Sequence, residues 1–170
     1  MFLSPKVLTP WLVVLGVLGL AENKEVVQMS MHKEINVPVG DSGQGVNCGK
    51  NPVNLTWTPK DLSPSGEVTV SLYFTPPYEM ATGSFDARLF EAGSQVPKFE
   101  YGDQFDCGLA KQYGIPCPLK KGVPFAMTKT ITKLSFLSGH AGLYIGIIQL
   151  FDDQDVEMFC VNMTARVLTS

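Results

Sequence analysis

Four cysteines constrain this chain more than any other feature. Cys107 and Cys117 lie close together, in Phe105-Asp106-Cys107 and Tyr113-Gly114-Ile115-Pro116-Cys117-Pro118-Leu119-Lys120-Lys121-Gly122, while Cys48 and Cys160 stand far apart on either side. In a reducing cytosol such thiols would be read as free or as metal ligands; in an exported protein they are read as a disulfide framework. The N-terminus argues for export. Lys6 precedes the apolar run Trp11 to Leu20, which stops at Ala21 before Glu22-Asn23-Lys24-Glu25, the layout of a secretory signal peptide. Gly19 and Ala21 are the small residues a signal peptidase inspects, so cleavage is expected after Ala21 and residues 1–21 are the signal peptide. A signal anchor fits less well, because a spanning helix needs about 20 apolar residues and Thr9-Pro10 breaks this run early.

Removing residues 1–21 takes away only Lys6, which leaves 12 basic residues against 16 acidic ones and a net charge near −4. That balance excludes nucleic acid as a partner. With 45% hydrophobic and 10% aromatic residues, the mature chain has enough apolar material for one packed domain, and a monomer is expected. Two N-x-T acceptors, Asn54-Leu55-Thr56 and Asn162-Met163-Thr164, become glycosylation candidates once export is granted.

The period of the apolar residues points to strands. Residues 22–47 are polar, lack a strong period and end in Gly40-Asp41-Ser42-Gly43-Gln44-Gly45, which reads as a lead-in, with the domain proper at 48–170. Short β-type runs begin at Val53. Val68, Val70, Leu72 and Phe74 alternate with polar residues after the turn Ser63-Pro64-Ser65-Gly66, and Phe85, Ala87 and Leu89 do the same before Ala92-Gly93-Ser94. Pro76-Pro77 closes the first of these runs, since proline cannot donate to a ladder. Phe125 to Leu134 is rich in threonine and bulky residues; Leu143 to Phe151 is apolar enough to be expected buried on both faces; Glu157 to Val167 reads as the last strand. No segment of useful length holds a helical period. The expected fold is all-β, an immunoglobulin-like antiparallel sandwich or a barrel.

Four cysteines allow three pairings, and spacing does not choose among them. A local bridge between Cys107 and Cys117 would contribute roughly 3 kcal/mol on the loop-entropy scale and would leave Cys48 with Cys160, a long closure worth about 4.7 kcal/mol. Zinc is not expected, because there is no C-x-x-C and the histidines are only His32 and His140. Gly40-Asp41-Ser42-Gly43 copies the string around a trypsin-like nucleophile, but only His32 precedes it, and a triad is a matter of geometry and not of a string. Asp152, Asp153, Asp155 and Glu157 lack the central glycine and length of a calcium loop and read as a charged hairpin turn. No catalytic residue, cofactor or metal is expected.

The order Cys-Gly, then Cys…Cys-Pro-Leu-Lys-Lys-Gly, an apolar strand and a final Phe-Cys resembles the ML lipid-recognition family. Its members include the Niemann-Pick type C sterol carrier, a fungal phosphatidylglycerol/phosphatidylinositol transfer protein and the ganglioside activator, to which Tyr113-Gly114-Ile115-Pro116-Cys117 is most similar. The resemblance covers about Cys48 to Val167. It implies Cys48 with Cys160, Cys107 with Cys117, and a sandwich whose sheets part to admit a lipid. The chain departs from the pattern in lacking the additional cysteines of the sterol carrier and the ganglioside activator, and in its long lead-in.

Read this way, inward strand positions become the lining of a lipid cavity: Leu72, Phe74, Phe85, Leu89, Phe125, Met127, Tyr144, Ile148 and Leu150, with Phe136. On periodicity alone they would be an ordinary filled core. Two loops, Pro76 to Ala81 and Leu134 to Gly139, place bulky apolar residues where turns are normally polar, so Tyr78, Met80, Phe136 and Leu137 are expected at a rim that meets membrane or ligand. Lys120 and Lys121 belong to a stretch, 108–133, without Asp or Glu, suited to anionic headgroups. The expected protein is a secreted or lysosomal, non-enzymatic lipid carrier that holds one sterol, phospholipid or glycolipid, touches membranes transiently and serves a receptor or hydrolase partner. The alternative is an immunoglobulin-like adhesion or receptor-accessory module with a filled core.

Overall fold

The computed structural model describes residues 41–112, 114–132 and 134–169. The expected signal peptide at 1–21, the lead-in up to residue 40 with His32, and Lys133 lie outside them. Among the described residues the strands are β1 (Gly43–Gln44), β2 (Val46–Asn47), β3 (Val53–Thr58), β4 (Asp61–Leu62), β5 (Val68–Phe74), β6 (Gly83–Glu91), β7 (Phe99–Phe105), β8 (Phe125–Ile131), β9 (Gly142–Asp152) and β10 (Glu157–Val167), with a short α-helix, α1 (Cys107–Gln112). One sheet has the order β1-β3-β5-β8 and the other β2-β10-β9-β6-β7, with β4 pairing in parallel with the end of β10. All the other strand pairs are antiparallel.

Alternation decides which faces meet. Val68, Val70, Leu72 and Phe74 are buried, whereas Thr69 and Ser71 face outward and share hydroxyl hydrogen bonds with Thr130 and Thr128, at 2.8 and 2.9 Å. Period-two sequence thus buries one face of each sheet and wets the other. Burying the inner residues stabilises by roughly 1.5–3 kcal/mol for each large side chain. β9 follows the same rule, which corrects its expected burial on both faces. Tyr144, Ile148 and Leu150 are buried, but Leu143 and Ile145 are 42% and 43% exposed, because among the described residues no element packs over the outer face of their sheet.

The domain begins earlier than Cys48. Gly43 and Gln44 pair with Trp57 and Thr56, and Val46 and Asn47 pair with Asn162 and Val161, so the end of the polar stretch stitches one flank of both sheets. Gly43 is required there by close approach, since a Cβ would fall inside the indole of Trp57. Cys48 and Cys160 are bonded on this flank, and the Cys48 N–H donates to the Cys160 carbonyl at 2.9 Å. On the opposite flank the edge strands are β7 and β8. They are consecutive in the chain, and the segment joining them, which contains α1, crosses from one sheet to the other.

Candidate functional site

Between the sheets, at the end where β5 finishes and β8 starts, lies a cavity of about 120 Å³. That is many times the roughly 10–15 Å³ one water needs on the same measure. Its walls are Leu72, Phe74, Phe125 and Met127 from one sheet, Phe85, Tyr101, Phe105, Leu150 and Phe159 from the other, and Met80, Leu109, Ala110, Ile115 and Leu119 from the connecting segments. A smaller void of about 20 Å³ continues inward past Leu72, Phe85, Met127 and Phe159 to Leu55, Val70, Ile148 and Val161. The aromatic rings meet at tilted angles around the larger space, Phe74 to Phe125 at 5.3 Å and Phe74 to Phe159 at 4.9 Å. Asp103 and Gln104 are the polar residues of the lining. Apolar walls with so few polar partners keep such a space dry.

Local sequence builds the mouth. Asp106 caps α1, its Oδ1 accepting the Leu109 N–H at 2.8 Å. Gly114, at φ 69°, ends it; the Ile115 N–H returns to the Ala110 carbonyl and the Gly114 N–H to that of Lys111, a Schellman closure that sets Ala110 and Ile115 side by side in the wall. The Cys107–Cys117 bond ties the helix to the strand-like segment beyond it. There Leu119 and Met80 exchange backbone hydrogen bonds at 2.8 and 2.9 Å, so both side chains are fixed facing inward.

The residues singled out from the sequence divide by place. Leu72, Phe74, Phe85, Phe125, Met127 and Leu150 line the cavity, and Ile148 lines its inner continuation. Leu89 does not: it lies half-buried over Gly146, where a Cβ would come within 2.8 Å of its Cδ2, and borders neither void. Tyr144 sits at the closed end, with Phe99 at 6.2 Å. The loop after β8 is at that same closed end, so Phe136 and Leu137 belong to neither lining nor mouth. Leu137 is buried and Phe136 packs on the core, because a turn that caps a sandwich needs apolar side chains pointing in. His140 is also there, edge-on to Phe99 at 5.2 Å. Met80, expected at the rim, is buried in the cavity wall.

Tyr78 is half-buried on the mouth side and donates its hydroxyl to the Val156 carbonyl at 2.9 Å; burial, then the charges of Asp152 and Glu157, raise its pKa above 10.0. Lys120 and Lys121 are exposed. The stretch free of acidic residues is not free of them in space, since Glu79 holds Lys120 at 3.0 Å. Both asparagine acceptors are exposed on outward strand positions, Asn54 opposite Tyr73 and Asn162 opposite Ile147. Ser42 shares a 2.7 Å hydrogen bond with Thr58. Asp152 Oδ1 accepts the N–H groups of Gln154 and Val156, the charged hairpin turn expected there. No group of three or more His, Cys, Asp or Glu able to hold a metal is found among the described residues.

Tyr101, Phe105, Leu109, Ala110, Ile115, Leu119 and Phe159 line the cavity without having been singled out. The signal for β7 was the alternation Phe99, Tyr101, Asp103, Phe105, obscured by the charge at its third position. Nothing in α1 carries a periodic signal, as six residues span less than two turns.

A family model described as the ML domain matches residues 44–167. Among solved structures, a Niemann-Pick type C2 protein from the Japanese carpenter ant is 20% identical, with a TM-score of 0.54, covering 73% of this chain and 98% of that one. Chicken MD-1, solved in complex with lipid IVa, is 14% identical, with a TM-score of 0.48, covering 75% and 98%. No curated protein sequence gives a significant match. The family match begins at β1 and ends with β10, across both sheets and the cavity between them, and the chain belongs to the ML-domain family.

Proposed function

We propose that this protein is a non-enzymatic lipid carrier, secreted or delivered to the lysosome, that holds the apolar tail of one amphiphile between its sheets. The observation that carries the reading is the apolar cavity lined by Leu72, Phe85, Phe125 and Met127, where an ordinary sandwich has interlocked side chains. Each methylene moved there from water contributes about 0.8 kcal/mol, so a long chain is held without any reactive group. A module with a filled core has no use for such a space. Met80 and Met127 in the wall are unbranched and adapt to an irregular guest.

Exchange with membranes takes place at the mouth end. Val123 is 56% exposed there, close in sequence to Lys120 and Lys121, an apolar and basic combination suited to a lipid surface. A receptor or hydrolase that takes the lipid over would meet the same end. Delipidated protein is expected to accelerate transfer of a fluorescent phospholipid or sterol between donor and acceptor vesicles. Absence of both transfer and equilibrium uptake for every lipid class would remove this function.

A further inference from the structure

The polar groups of the cavity sit on one strand. On β7 the inward-facing positions run Tyr101, Asp103, Phe105, and Asp103 is paired in register with Phe85 of the cavity wall. Its carboxylate is held in place from two sides: the Tyr101 hydroxyl donates to Oδ2 at 2.9 Å and the Gln104 N–H to Oδ1 at 2.8 Å. Asp106, next in the chain after Phe105, caps α1 with its carboxylate and is not part of the lining. None of the lining residues is Lys, Arg or His. Of the lysines near the mouth, Lys120 is paired with Glu79, and Lys111 and Lys121 are exposed to solvent outside the lining.

We propose that Asp103 sets the charge selectivity of the cavity, which accepts amphiphiles with neutral or cationic heads and rejects those with anionic heads. The proposal rests on the carrier reading and names the ligand class within it. A tail seated among Phe85, Met127 and Phe125 leaves its head beside β7, at the mouth, where the Asp103 carboxylate is exposed to solvent and held by Tyr101 and Gln104. At about 5 Å and the effective dielectric of about 20 that applies near a protein surface, a like charge weakens binding by about tenfold or more. A hydroxyl or an amine there can instead donate to a carboxylate oxygen that retains acceptor capacity.

The test uses three probes that share one tail, dodecanol, dodecyltrimethylammonium and dodecyl sulfate. The ammonium and the sulfate, below their micelle concentrations, and the alcohol, below its solubility limit, are each titrated into delipidated protein by calorimetry at neutral pH. The alcohol and the ammonium are expected to bind at least about tenfold more tightly than the sulfate. Asp103→Asn, close in shape and still able to accept from Tyr101, should bring the sulfate to within about threefold of the alcohol, and about 0.5 M salt should narrow the gap in the unmodified protein. Sulfate binding as tight as alcohol binding overturns the proposal. So does a gap that neither the asparagine variant nor salt reduces, which would belong to head-group hydration. Uptake of none of the three overturns the carrier reading itself.

Discussion

Leu72, Phe85, Met127 and Phe159 each border both the main cavity and its inner continuation, so they control how deep a guest can reach. Replacing Met127 with Trp puts a rigid ring into that passage. The variant is expected to lose displaceable binding of a fluorescent fatty-chain probe by at least about tenfold, while its melting temperature stays level or rises, because filling a dry void removes a source of instability. Loss of the fold together with binding would mean that the passage has no room for the indole. Tyr78 carries a pH prediction. Its folded pKa lies above 10.0, so the native state retains this proton where the unfolded chain releases it. The stabilisation is complete below pH 10 and is lost as pH rises above it. Tyr78→Phe should flatten the alkaline fall of the melting temperature; an unchanged slope would remove Tyr78 as its source.

At the scale of elements, the sequence displayed the long strands other than β7 plainly and the mouth hardly at all. β5 and β6 are regular alternations, and their inward residues are those that line or close the cavity. The loop at Leu134–Gly139 had the apolar composition of a rim and yet caps the closed end, because composition marks burial without saying which end of a strand is meant. α1 is specified by a cap and a terminator, Asp106 and Gly114, with too few residues between them for a period. Its role is to hold Leu109, Ala110 and Ile115 against the opening. Gly114→Ala, which forces an L side chain into a left-handed conformation, is expected to cost about 1–2 kcal/mol and to speed amide exchange in α1 more than in β5. Uniform exchange across both would show that α1 does not open as a separate unit.

For the molecule as a whole, the two bonded cysteine pairs brace opposite flanks. Cys48–Cys160 spans a separation of 112 residues and Cys107–Cys117 one of 10, so loss of the first should cost more, about 4.7 against roughly 3 kcal/mol on the loop-entropy scale. Denaturant titration of the two double-serine variants measures that order; the reverse order would mean that native packing at the mouth outweighs chain entropy. The fold was legible because the cysteines, the alternation and the turn residues all agree on a sandwich. The cavity was legible only in part, since the residues that line it differ in no chemical way from residues that would fill it.

The central claim is that the parted sheets enclose a dry space which a lipid tail occupies. Native mass spectrometry of the protein purified from cells that make it, before and after delipidation, tests this most directly. The expected spectrum holds one added mass in the lipid range that disappears on extraction and returns when the extract is restored. A spectrum in which polypeptide and glycans account for the whole mass, with no amphiphile taken up afterwards, would contradict it.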